Sequence, residues 1–446
     1  MRKFLYLFLI AALIAGVAFG FSQSKKKAAV VTIPTHALPL DPLSIVLTPM
    51  GGTGPVDKQI AETQTKIRKS PQLPQLLEQL GWLFVNKARV SSDPGYYKLA
   101  EQSADALELK TPGNPDVELL RGHIYHALHR FQEAESVAQK LIKKREFVFD
   151  YALLGDALME QGKLDQAVEA YQKMVDLKPC LQTYSRVAYM RWLKGDLPGA
   201  VKAMQLAVSG GTLKEPEPLA WAYTRLASYE LQSGHPDLAL RASKIALQFV
   251  PEYAAALLQQ GRILIAQGNK PEAVTALQAA AKKSPLPENL WTLADALRTE
   301  GRVAESEAVE KKLRQTGQAN DPRTYALFLA SRGERLDLAL HLAKEELKAR
   351  QDIFTRDALA WAELANGHLA EAQSNLQLAL AEGTKDGRLF YHAGVIEAAA
   401  DRPDEARKFF QEAKALEQML MPSERAALAR KLATLSPVNT SHVSSN

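Results

Sequence analysis

Cysteine occurs once in the 446 residues, at Cys180, which excludes an intramolecular disulfide, a multi-cysteine metal site and an acylated N-terminal cysteine. No charge of either sign dominates: 55 Lys and Arg face 50 Asp and Glu, a net +5. The two signs are interspersed, so no broad basic face for nucleic acid is expected. Phosphate-loop chemistry is also missing, because Gly51-Gly52-Thr53-Gly54 lacks the following Gly-Lys-Ser/Thr and no strand pattern precedes it. Aromatic residues make up only 7% of the chain, so where they gather is informative. Long apolar runs are scarce too, and the one that stands out spans Phe4 to Phe21.

That run follows Arg2 and Lys3, with small residues at Ala18 and Gly20. It reads either as a cleaved signal peptide or as an N-terminal membrane anchor over residues 1–21. Both readings place the bulk of the chain outside the cytoplasm, in the periplasm or cell envelope. Residues 22–71, punctuated by Pro34, Pro39, Pro42, Pro49 and Pro55, read as an extended linker with one short helix from Asp57 to Lys69. Residues 72–436 show helical apolar spacing, and the polar residues 437–446 read as a disordered tail carrying an Asn439-Thr440-Ser441 triplet.

Within the helical region, Phe147 to Pro179 forms a unit. Tyr151, Leu154, Gly155 and Leu158 share one face of a first helix, which Gly162 ends. Asp165 stands where an N-cap would open a second helix carrying Ala167, Tyr171, Met174 and Val175, and Pro179 closes the unit. Gly155 and Ala167 are small where the two helices cross. Equivalent small residues recur at Ala100, Ala134, Ala167, Ala200, Ala239, Ala273, Ser306, Ala339, Ala372 and Ala406, in steps of 33 or 34 apart from one of 39. The long step coincides with the Gly/Pro-rich stretch Ser209 to Pro218. Ala170, by the same spacing, falls on the outer surface.

A unit with Tyr151, Leu154-Gly155, Ala167, Tyr171 and Pro179 at this spacing resembles the tetratricopeptide repeat. The resemblance implies an all-α, right-handed superhelical solenoid of about ten helical hairpins, closed by a C-terminal capping helix from Ser423. It implies a non-catalytic scaffold that binds a protein or peptide in its concave groove, serving the assembly of a bacterial envelope complex, with no cofactor.

Carried over by register, the groove positions hold Tyr189, Trp192, Trp221, Arg225, Arg262, Trp291, Asp295 and Arg298, then Tyr325, Trp361, Tyr391 and His392. Trp, Tyr and Arg are the residues that concentrate binding energy at interfaces. The same rings could instead pack neighbouring first helices. The family's carboxylate clamp is not matched, since Thr224, Arg225 and Asp295 stand where Asn and Lys would be wanted. The rival class is a metal-binding protein or an enzyme built on the same frame, and its one candidate is the set His123, His126 and His129. At a spacing of three, the third side chain rotates off the shared face, so these read as solvated histidines near a turn. Cys180 has no His partner in its own repeat.

Overall fold

The computed structural model describes residues 41–435. The apolar run at residues 1–21 and the polar tail lie outside them. Among the described residues no helix is long and apolar enough to cross a membrane, and no strand occurs.

Two helices, α1 (Pro42–Val46) and α2 (Pro55–Lys69), precede the repeats, followed by the pair α3 (Pro74–Ser91) and α4 (Gly95–Lys110). Pairs then succeed one another: α5 (Pro115–Ala127) with α6 (Phe131–Lys144), α7 (Val148–Glu160) with α8 (Leu164–Leu177), and α9 (Leu181–Leu193) with α10 (Leu197–Ser209). Next come α11 (Pro216–Gln232) with α12 (Pro236–Phe249), α13 (Ala254–Ala266) with α14 (Lys270–Lys283), and α15 (Pro287–Thr299) with α16 (Val303–Asn320). The array finishes with α17 (Pro322–Arg332) and α18 (Leu336–Ala349), α19 (Ile353–Ala365) and α20 (Leu369–Leu380), then α21 (Gly387–Ala399) and α22 (Pro403–Ala415). A short 3-10 turn, Glu417–Met419, leads into α23 (Pro422–Leu435).

Local chemistry explains the boundaries. Asn114, Asp321, Asp352 and Asp386 cap first helices by accepting from backbone N–H groups that the first turn leaves unpaired. Between the helices of a pair, Gly162 turns the chain at φ +73°, a left-handed geometry that only glycine adopts without steric cost. Asp165 is not the N-cap of α8. Lys163 holds that position, and Asp165 lies in the first turn, where its charge complements the helix dipole.

The small residues at the helix crossings, from Ala100 through Ser306 to Ala406, are fully buried. Ser306 satisfies its hydroxyl by donating to the Ala294 carbonyl at 2.7 Å. Gly155 lies under the Tyr171 ring, and a Cβ there would fall 2.4 Å from Tyr171 Cε1. Ala170 differs from expectation: it is 4% exposed, because three positions after Ala167 and four before Met174 it shares their buried face of α8. The linker reading also changes from residue 42 onward. Val46, Ile60 and Ile67 of α1 and α2 are buried in one cluster with Leu77, Leu80 and Phe84 of α3, so these helices cover the first repeat's apolar face.

The pairs wind so tightly that successive superhelical turns touch. The Thr384 hydroxyl donates to the Leu193 carbonyl across 191 positions, Gln418 Nε2 to the Gln232 carbonyl across 186, and Ser284 to Ser92 across 192. Offsets of this size equal between five and six repeats per turn. The Gln351 N–H donates to the Glu160 carbonyl at 2.9 Å, and Arg350 Nε reaches the Glu160 carboxylate at 2.6 Å. Turn loops of the early repeats thus rest on the loops that open the late ones.

Candidate concave binding surface

First helices line the inside of the superhelix, and there the register residues separate by environment. Arg225 of α11 is held in a seat of rings, its guanidinium carbon 5.3 Å from Tyr189, 5.8 Å from Trp192 and 5.3 Å from Tyr229. Among the described residues Arg225 makes no ion pair; its Nη2 donates to the Tyr229 hydroxyl at 3.5 Å, and its buried Nε has no hydrogen-bond partner. Burial pushes the Tyr189 hydroxyl above its ordinary range. Trp221 is half-buried between α11 and the next repeat.

Several of the other register residues are engaged within the chain. Trp192 is 8% exposed and donates its Nε1–H to Gln232 at 2.8 Å. Arg298 pairs with Glu310 at 3.2 Å, as Arg314 does at 3.1 Å and Arg332 also does. Tyr325 is 1% exposed, with its hydroxyl on the Arg314 carbonyl. Trp361 stacks on His392 at 4.0 Å and donates to Ser331. His392 in turn is 2.9 Å from Asp357, and Tyr391 packs on Phe410.

Between these groups lies a polar stretch. Arg262 pairs with Glu288 at 2.8 Å, and that cation holds the Glu288 carboxyl below its usual range. Arg388 lies over Trp291 at 5.2 Å and pairs with Glu424 of α23 at 2.8 Å. Asp295 accepts the Ser423 N–H at 3.0 Å, so the N-terminus of α23 is capped by a residue of α15. Burial raises the Asp295 carboxyl. The chain after α22 therefore turns inward and seats residues 418–424 against the concave wall.

Glu288, Phe354 and Arg388 belong to this surface without standing out in the sequence. Each is the second residue of its first helix, so the repeat register did contain them. Tyr229 and Gln232 fall outside the register and had no sequence signal.

The three histidines are not solvated as a set. His123 packs edge-on against Trp82 at 4.9 Å, while His126 and His129 pack on Phe131 at 5.3 and 5.5 Å. Burial drives His123 down to about 3 and His129 to about 4. Among the described residues no three His, Cys, Asp or Glu side chains gather as metal ligands. Cys180 Sγ lies 3.3 Å from the Thr183 hydroxyl.

A right-handed stack of helical pairs around a lined interior defines a helical-repeat protein. The tetratricopeptide repeat family matches at residues 152–214, 224–287, 258–322 and 358–418, and the chain belongs to that family. No curated protein matches it by sequence. Solved structures with similarity include that of MamA, at 23% identity, with 37% of this chain and 94% of that one covered and a TM-score of 0.31. A tetratricopeptide repeat protein from Parabacteroides merdae is 17% identical, covering 57% and 98%, with a TM-score of 0.33. The human IFIT1 dimer with PPP-AAAA is 14% identical, covering 73% and 78%, with a TM-score of 0.41.

Proposed function

We infer a non-catalytic, protein-binding role, since tetratricopeptide repeats generally mediate protein–protein interactions and are generally non-catalytic. We propose that this chain is a scaffold that binds an extended, acidic segment of a partner protein on its concave surface, in assembly of a cell-envelope complex to which the N-terminal apolar run directs it. One observation carries the reading: Arg225 sits among three aromatic rings and, among the described residues, makes no ion pair. A guanidinium so placed, with only Nη2 engaged on the Tyr229 hydroxyl, keeps its remaining donors for a carboxylate brought from outside, while the rings hold its orientation. Half-buried Trp221, at the start of the same helix, supplies an apolar anchor beside it.

The test is binding of labelled acidic, neutral and basic peptides of equal length to the wild type, Arg225→Ala and Trp221→Ala proteins, each also melted thermally. Acidic peptides should bind the wild type and lose about thirtyfold in affinity with either variant. Binding that ignores peptide charge, or that survives both substitutions, would overturn the reading.

A further inference from the structure

A small cavity of about 50 Å³ lies where residues 418–422 close over the concave wall. Its polar lining comes from five elements: Ser228 of α11, Gln259 and Arg262 of α13, Thr292 of α15, Arg388 of α21, and Gln418 of the inward-turning segment. No Asp or Glu is among the lining residues. The two arginines are held from outside by one carboxylate each, Glu288 on Arg262 and Glu424 on Arg388, both at 2.8 Å. A guanidinium has five N–H donors and no acceptor, so each retains donors after its ion pair is made. Gln259 is 6% exposed, and its amide Nε2 is buried without a hydrogen-bond partner. An unpaired buried donor costs free energy, and here it lines a cavity whose two charged groups are both cationic.

At roughly 10–15 Å³ per water, such a space takes about three to five waters or one small anion of the same number of heavy atoms. Water answers donors and acceptors alike, whereas a wall with two cations, an amide N–H and two hydroxyls matches a group that accepts at several points. We propose that this cavity is a binding site for a small oxyanion, held by Arg262, Arg388 and the Gln259 amide. The site is separate from the Arg225 seat and does not depend on the partner reading. Because Gln418 and residues 419–422 complete its wall, the bound anion also fastens the inward-turning segment.

The experiment titrates the full chain with inorganic phosphate or with acetate, at constant ionic strength set by chloride. It follows thermal melting, calorimetric heat, and amide hydrogen exchange of residues 416–425. Saturable one-site binding of either anion, with a rising melting temperature and slower exchange of that segment, is the expected result. The tighter of the two tells a phosphate source from a carboxylate source. Gln259→Met removes the unpaired donor at similar volume. It should melt no lower than wild type without anion, and should bind the anion about tenfold more weakly. If Gln259→Met folds poorly, Thr292→Val should weaken binding in the same direction. The proposal is overturned if neither anion saturates, or if these variants bind like wild type.

Discussion

The indole of Trp192 stacks on the ring of Phe354 with centroids 5.9 Å apart and planes 14° from parallel. The first ring belongs to α9 and the second to α19, so the pair joins two successive turns of the superhelix. Trp192 also carries Tyr189 and Tyr229 on its other sides, and that set of rings seats Arg225. Packing between turns and shaping of the concave surface are therefore one structure.

From this contact, Phe354→Ala should destabilise the chain by about 2–4 kcal/mol, from lost burial plus the ring–ring term. Leu213→Ala, at a site 78% exposed, should change stability by less than about 0.5 kcal/mol. Denaturant unfolding of the two variants beside wild type is the measurement. Equal midpoints would mean that the two turns do not stabilise each other through these rings.

At the helix crossings, Ala167→Trp should cost about 1–3 kcal/mol or more, since the site is fully buried and bordered by its partner helix. Val168, one residue on and 40% exposed, is the fitting control. Val168→Trp should melt within a few degrees of wild type, well above Ala167→Trp.

Glu310 is 3% exposed and faces Arg298, Arg314 and Arg332. Glu310→Gln keeps the shape and removes the charge that holds three guanidinium groups together. Arg314 keeps Glu334 at 2.7 Å, and the three guanidinium groups are 24–36% exposed, so the loss is about 1–2 kcal/mol, below that of a fully buried pair. The loss should appear as a lower denaturation midpoint, and high salt should reduce it by screening the arginines. A midpoint unchanged by the substitution would show that solvent already screens the cluster.

His123 sets a pH dependence. Burial, with Arg186 adding to it, takes the folded-state value to about 3 against an ordinary 6.5, although Asp156 opposes the shift. Between those two values the unfolded chain binds a proton that the folded chain refuses. Stability from this group is therefore complete above pH 6.5 and is lost as pH falls toward 3, at no more than about 1.4 kcal/mol per pH unit. His123→Gln does not titrate there, so its melting temperature should fall less steeply from pH 7 to pH 4. Parallel curves for the two proteins would assign the acid sensitivity to carboxylates alone.

Much of this architecture was legible in the chain itself. A small residue every 33 or 34 positions and a turn glycine beside it are local requirements: two helices can cross closely only over Ala, Gly or Ser, and a tight turn needs a left-handed residue. Those conditions repeat because each helical pair meets only its neighbours, so the period, the pairing and the family could be read from residues at most a few tens apart. The tertiary structure alone decided what lies across the turns. Trp192 against Phe354, Thr384 on Leu193 and Ser423 on Asp295 join residues more than 120 positions apart. Their meeting depends on small rotations added over about four to six repeats, and no local pattern records that sum. The same accumulation turned the last segment inward, where it completes the cavity beside Gln259, and left Arg225 among rings without an ion pair among the described residues.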